Sequence, residues 1–402
     1  MRSWIFAAAL IFAACTGSPS SGQQSQNGEV AQGPPNSNFA PAFEGQTRAP
    51  EARSGVTIDA REVARGLNHP WAIVFLPDGR MLVTERAGSL RIVARDGRIS
   101  APIAGLPPVH TQGQGGLLDV VLSPNFATDS MIYWSYAEPR EGDNRGTSVA
   151  RGRLSENMTR VEAVQVIFRQ VPARESGGHY GSRLVFDREG RLFITLGERQ
   201  RPESRALAQD ISTTLGKIVR INADGSVPAE NPFVGRADAR PEIWSYGHRN
   251  VQGADLNPDT GVLWTIEHGP RGGDELNIPR AGLNYGWPVI GYGIDYNGAP
   301  QHETSQREGM EQPVYYWDPV IAPGDMDFYR GSLFPWRGDI LIAGLNSQAL
   351  VRLDIDGERV VGEERFALGI GRIRDIAESE DGALWVITDE DDGRVLRLAP
   401  RT

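Results

Sequence analysis

From residue 55 onward, hydrophobic and polar positions alternate in short runs and do not follow the 3.6-residue spacing of a helix. A turn carrying Asp or Asn, joined by Gly in all but the second unit, introduces each run, and the run itself is rich in β-branched and aromatic residues. The pattern reads LPDGRMLVTE (76–85), SPNFATDSMIYWSYA (123–137), DREGRLFITLGE (187–198), NPDTGVLWTIE (257–267), FPWRGDILIAG (334–344) and SEDGALWVITDE (379–390). Six such units predict an all-β, six-bladed β-propeller, each blade a four-stranded sheet around a central channel. A two-sheet sandwich fits six units less well. In a propeller, loops distant in sequence gather at one mouth of the channel, where polar side chains can converge.

The N-terminal region breaks this pattern. Met1-Arg2 precedes an apolar run at 4–14, too short to span a bilayer but suited to the core of a secretory leader. The run ends at Ala13-Ala14-Cys15, small residues before a cysteine, as at a lipoprotein cleavage site. Residues 1–15 are therefore read as a leader and Cys15 as a candidate lipid anchor. This makes the protein exported and periplasmic, with an outer-membrane lipoprotein as the anchored form. An ordinary leader with Cys15 incidental is the other reading. Residues 16–54 are rich in Ser, Gly, Gln, Asn and Pro and read as a flexible tether, so the propeller is expected over 55–402.

Charge narrows the functions. Forty-one basic residues against 51 acidic give a net charge of -10, which lacks the general pull that nucleic acid or anionic lipid requires. Lys217 is the chain's one lysine and is followed by Ile218, so there is no Walker-type phosphate loop. A single cysteine excludes an internal disulfide, a thiolate zinc site and an iron–sulfur cluster. A monomer is expected.

Several segments place polar side chains among glycines. In GQGGLLDVVLSPNF (113–126), Gln114 offers an amide able to orient a hydroxyl, although such a loop is often a plain turn. In GGHYGSRLVFD (177–187), His179 sits between glycines and a strand, where an imidazole suits a general base; a hydrogen-bonded surface histidine is the bland alternative. In SYGHRNVQG (245–253), Arg249 beside Asn250 can polarise a carbonyl, hold an anion or close a salt bridge between blades. In IEHGPRGGDELNIPRAGLNYGWPVIGYGIDY (266–296), Gly269 and Pro270 can present carbonyls to a hard cation, with Glu275 and Tyr285 as a second set. Arg372 and Arg374 share i, i+2 spacing, which on a strand suits gripping a polycarboxylate.

Together, GQGGLLDVVLSPNF, LGKIVRINADGSVPAENPF (215–233), GHRNVQG, EHGPRGGDELN (267–277) and GLNYGWP (282–288) resemble the glucose/sorbosone dehydrogenase family. Within it, the chain is similar to the pyrroloquinoline quinone (PQQ)-dependent soluble aldose sugar dehydrogenases. The likeness runs from about Leu67 to Leu398. It implies a six-bladed propeller that oxidises aldose sugars at C1 to lactones, with PQQ and calcium (Ca2+) as cofactors. A respiratory quinone or another electron acceptor would complete the cycle. By the same resemblance, His179 is the catalytic base, and Gln114 lies near the sugar hydroxyl and the quinone. Arg249, Asn250 and Tyr296 contact the cofactor, and Arg372 and Arg374 bind its carboxylates. Gly269 and Pro270 are carbonyl ligands of the cofactor-bound calcium, while Glu275 and Tyr285 belong to a separate structural calcium site. Two departures stand out: Gly178 replaces an aspartate that some members place before the base, and Asn346 aligns where some members use a lysine.

Two other functions remain open at this point. One is a calcium-dependent lactonase on the same fold. The other is a non-catalytic propeller lipoprotein that binds sugar or an envelope protein.

Overall fold

A computed structural model describes residues 30–401. The leader read at 1–15, with Cys15, lies outside the described residues. Six antiparallel sheets follow one another along the chain. Blade 1 has three strands (Pro70–Phe75, Met81–Glu85, Ser89–Val93), and blade 2 runs from Leu117–Leu122 to Val161–Arg169. Blade 3 runs from Leu184–Phe186 to Ile243–Tyr246, blade 4 from Val251–Leu256 to Tyr315–Trp317, and blade 5 from Pro323–Phe328 to Arg359–Phe366. Blade 6 holds Ile373–Glu378, Leu384–Thr388 and Gly393–Pro400, and its outer strand is Ile58–Leu67 from the other end of the domain. That pairing of first strand with last closes the ring, so two blades that end the chain hold each other without a free seam.

All six repeated units fall in one place, the hairpin between a blade's innermost strand and its second strand. An Asp/Asn-Gly turn closes the hairpin on one face of the disc in five blades, a single helical turn at Phe126–Asp129 does so in blade 2, and the run that follows is the buried second strand. The body is thus the expected six-bladed β-propeller. Side chains from facing blades interdigitate to form an apolar cluster at each seam, such as Trp71, Leu117, Ile132 and Trp134 between blades 1 and 2. The seam between blades 3 and 4 buries only Phe193, Ile218, Ala254 and Leu263. Backbone and amide bonds supplement it: Glu198 N–H donates to Arg249 O (3.0 Å), and Gly181 N–H donates to Asn250 Oδ1 (3.0 Å).

One guanidinium plugs the channel. Arg183 of blade 3 pairs with Asp119 of blade 2 (3.1 Å), Asp325 of blade 5 (3.1 Å) and Asp375 of blade 6 (2.7 Å). It donates to the Gln252 carbonyl of blade 4 (3.0 Å) and lies over the Trp71 ring of blade 1 (4.7 Å). Every blade therefore meets this buried charge, which has carboxylates enough to remain ionised.

The tether reading needs correction for residues 30–54. This stretch is packed against blades 4 and 5 and is not a free linker. Gln46 is fully buried, donates to Pro313 O (2.9 Å) and accepts from the Tyr292 hydroxyl (3.0 Å). Ala49 N–H donates to the Tyr315 hydroxyl (2.9 Å), and Glu51 bridges Glu363 at the outer edge of blade 5. Its polar composition misled because side-chain hydrogen bonds, more than apolar burial, fix it in place.

Candidate active site

The loops just before each inner strand and just after each second strand open on one mouth of the channel. Between them lies a cavity of about 180 Å³, with Trp71 on its wall above the Arg183 plug. Gln114, His179, Arg249, Asn250, Tyr296, Arg372 and Arg374 all line it. Residues separated by up to 260 positions in sequence thus meet because every blade delivers its loops to the same side.

His179 is held on three sides. Its backbone N–H donates to Gln114 Oε1 (2.8 Å), its carbonyl accepts from Arg199 Nη1 (3.0 Å), and its Nδ1 lies 2.8 Å from Glu198 Oε2. Glu198 is itself buried and accepts from the Gln200 N–H, so its carboxylate is fixed before it meets the imidazole. Among the described residues Nε2 has no hydrogen-bond partner, and it belongs to the cavity wall. Burial pushes the imidazole below its usual pKa, Arg249 and Arg199 push the same way, and Glu198 opposes them. A neutral ring with its proton on Nδ1, donated to Glu198, leaves a lone pair on Nε2 facing the cavity. His179, Arg199 and Gln200 all have positive φ (48°, 72° and 63°), a conformation costly for non-glycine residues. The bonds just described hold that strain in place.

The cavity is cationic in an acidic protein. Arg86, Arg249, Arg372 and Arg374 line it against one carboxylate, Asp389, although the chain carries a net charge of -10. Asp389 is already engaged by Arg372 (3.1 Å) and by His69 Nδ1 (2.9 Å). Arg374 is buried over Trp71 (4.6 Å) and donates to Gln252 Oε1 (2.9 Å); burial lowers its pKa to about 10. The Nε atoms of both Arg249 and Arg374 are buried without a partner. Unmatched guanidinium groups around one space fit a polyanionic ligand.

A second, tighter pocket adjoins the first, with Arg249 shared between them. Gly269, Pro270, Glu275 and Tyr285 line it. Arg249 Nη1 donates to the Gly269 carbonyl (2.7 Å), whereas the Pro270 carbonyl accepts no hydrogen bond among the described residues. Glu275 lies opposite Glu267 in the sheet, and burial together with that neighbour pushes it well above the usual carboxylate range. Two facing carboxylates beside the free Pro270 carbonyl fit a hard cation. The Tyr285 hydroxyl is not available to one, since it donates to Ile278 O (2.6 Å) and accepts from Arg280 N–H (2.9 Å). Any metal contact from Tyr285 must come from its carbonyl.

The two departures have structural explanations. A Cβ on Gly178 would lie 1.9 Å from Gln200 Oε1, so the Gln200 amide fills the space that a side chain at 178 would enter. Asn346 is exposed and its amide points to Val320 O (3.4 Å), while Leu345 beside it reaches the cavity. Sequence reasoning missed Glu198, Gln200, Gln252 and His268. A signal for Glu198 was present. Four of the repeated units end with an acid at the close of the second strand, and in blades 1, 3 and 4 that acid bonds the loop before the same blade's inner strand. Glu85 accepts from Asn68 N–H (2.7 Å), Glu198 meets His179, and Glu267 accepts from Arg249 N–H (2.6 Å).

Comparison with known proteins identifies the family. The family model described as glucose/sorbosone dehydrogenase matches residues 67–397. Aldose sugar dehydrogenase YliI of Escherichia coli is 44% identical over 350 residues, covering 86% of this chain and 94% of the relative. A glucose dehydrogenase crystal structure superposes with a TM-score of 0.82 at 47% identity, covering 86% of this chain and 100% of that one. The PQQ-bound form of aldose sugar dehydrogenase from Streptomyces coelicolor has a TM-score of 0.72 at 29% identity, covering 86% of this chain and 99% of that one. This chain belongs to the glucose/sorbosone dehydrogenase family.

Proposed function

We propose that the protein oxidises an aldose at C1 to its lactone, with His179 as general base and with PQQ and calcium bound at the channel mouth. One observation carries this reading: a cavity rich in arginine, in an acidic protein, faces an imidazole whose single unbonded nitrogen opens into it. The PQQ-bound relative from Streptomyces coelicolor and the sugar dehydrogenases named above support the cofactor and the substrate class.

Arg372 and Arg374 would hold the carboxylates of the quinone, and Arg249 with Asn250 and Tyr296 would fix its orientation. The Gly269 and Pro270 carbonyls would ligate the calcium beside it, the Gly269 oxygen using the lone pair that Arg249 Nη1 leaves free. When bound, PQQ supplies the two-electron acceptor that takes the hydride from C1. His179 Nε2 takes the proton of the C1 hydroxyl, and Glu198 stabilises the imidazolium that forms. Gln114 spends its carbonyl on the His179 backbone, leaving its amide N–H groups to meet a sugar oxygen. Arg249 would offer fixed positive charge to the acceptor oxygen, where negative charge gathers as the hydride is received. A respiratory quinone or another small acceptor would then reoxidise the site. The apolar run before Cys15 supports an exported, periplasmic protein, testable by cell fractionation.

Purified apoprotein mixed with calcium and PQQ should reduce a dye in the presence of an aldose. No reduction across a broad sugar panel would overturn the proposal. Lactone hydrolysis without quinone would point instead to the hydrolytic function.

A further inference from the structure

The packed segment at 30–54 precedes the region shared with the family, which begins at residue 67. It does more than cover a surface. Asp318, just beyond the outer strand of blade 4, is buried, and all the hydrogen bonds to its carboxylate come from this segment. Asn36 gives Oδ1 its backbone N–H (2.9 Å) and its amide (2.7 Å), and Ser37 N–H gives Oδ2 a third (2.9 Å). Two of these donors are backbone N–H groups and the third is the Asn36 amide, so the path of the segment and the Asn36 side chain together satisfy a carboxylate that no other donor meets. The segment therefore has a dedicated receptor in the blade.

The same two residues reach both stretches that carry the candidate cation and cofactor groups. Asn36 Oδ1 accepts from Arg271 Nε (2.9 Å), next to Pro270, and Ser37 Oγ donates to the Tyr292 carbonyl (2.7 Å), four residues before Tyr296. Those stretches also bond each other, Arg271 N–H to Ile294 O (3.0 Å) and Ile294 N–H to Arg271 O (2.9 Å). Gly272 sits at φ +86° with the Asp318 carboxylate against it, so a Cβ there would lie 2.5 Å from Oδ1. Gly269 is held from the blade side by its N–H to Asp274 Oδ1 (2.8 Å), and the strap holds the other end of the turn at Arg271; carbonyl ligands are useful to a cation only when their directions are fixed.

We propose that Asn36 and Ser37 are positioning residues. Through Asp318, Arg271 and Tyr292, this N-terminal strap holds the Gly269–Pro270 carbonyls and the Tyr292–Tyr296 segment in the geometry that receives calcium and PQQ. The inference rests on the proposed function for the identity of the ligands, but not for the bracing itself.

The test compares wild type with Asn36→Ala/Ser37→Ala, which removes the side-chain bonds to Asp318, Arg271 and Tyr292 and keeps the two backbone bonds to Asp318, and with Ser37→Ala alone as the milder variant, which removes only the bond to Tyr292. In hydrogen exchange of the apoprotein, peptides covering 269–273 and 290–296 should exchange faster in the double variant, while blades 1–3 keep wild-type protection. In calorimetric titration with calcium and PQQ, the double variant should bind roughly 10-fold or more weakly, the usual loss when a partner behind a metal ligand is removed. Turnover at saturating cofactor should return to the wild-type value, which a general loss of structure would not permit. If the double variant does not fold, the same comparisons on Ser37→Ala decide the matter. Wild-type exchange at both loops, or wild-type affinity in the variant, would overturn the inference. If the wild-type protein itself binds neither ligand, the proposed function fails and the exchange result alone decides the bracing.

Discussion

Two neighbouring blades each carry a buried histidine paired with a glutamate 19 residues further on. In blade 4, His248 Nδ1 lies 3.0 Å from Glu267 Oε1, its Nε2 lies 2.9 Å from Ser245 Oγ, and its ring stacks on Tyr285 at 4.8 Å. In blade 3, His179 Nδ1 lies 2.8 Å from Glu198 Oε2, but Nε2 is left to the cavity. One pair has every polar atom of its ring satisfied and locks a loop. The other uses the same latch to aim a ring and leaves one nitrogen unbonded. On the proposed mechanism, chemistry comes from withholding a partner at one of two similar positions, while the glutamate does the same orienting work in both.

Breaking each pair should separate the two roles. His179→Ala is expected to lower turnover by roughly 100- to 10,000-fold, the usual contribution of a general base, with PQQ binding retained in a calorimetric titration. Glu198→Gln should also lower turnover, because the ring keeps its nitrogen but loses the group that fixes its tautomer, a loss that reaches roughly 10,000-fold in a Ser-His-Asp triad. Because Glu198 raises the His179 pKa, its loss should also move the acid limb of the kcat/KM profile to lower pH. Arg249→Gln should move that limb the other way. Arg249 depresses the His179 pKa, and a base with a higher pKa becomes protonated, and inactive, at higher pH. His248→Ala should leave proton transfer at His179 unchanged and lower stability by about 1–3 kcal/mol in denaturant unfolding, because Glu267 loses a buried partner. Ser245→Ala has the smallest expected effect, about 1 kcal/mol of stability and no new base, since His248 Nε2 does not open on the cavity.

How much of this was legible in the sequence depended on whether the signal was local. The six turn-and-run units identified the blades because a hairpin needs only its own turn and its own buried strand. Gln114, His179, Arg249, Asn250, Tyr296, Arg372 and Arg374 were legible as a set, and the structure brings them to one cavity. Glu198 was not, since its role depends on how the end of one strand meets a loop 19 residues earlier, and a glutamate closing a strand has no distinctive composition. Residues 30–54 failed for a related reason. Their order rests on receptors such as Asp318, Tyr292 and Tyr315, more than 200 positions away, and Ser, Gly and Asn look alike whether those receptors exist or not. Gln200 was hidden because only the packed structure shows its amide in the space beside Gly178.

The central claim is that His179 is a neutral base with its proton held on Nδ1 by Glu198 and its Nε2 open to the site. A nitrogen-15 spectrum of selectively labelled histidine, with His179→Ala used to assign the signal, reads this directly in the apoprotein. The account predicts a neutral His179 ring at pH 6.5, protonated at Nδ1 and not at Nε2. A doubly protonated ring at that pH, or a neutral ring carrying its proton on Nε2, would contradict it.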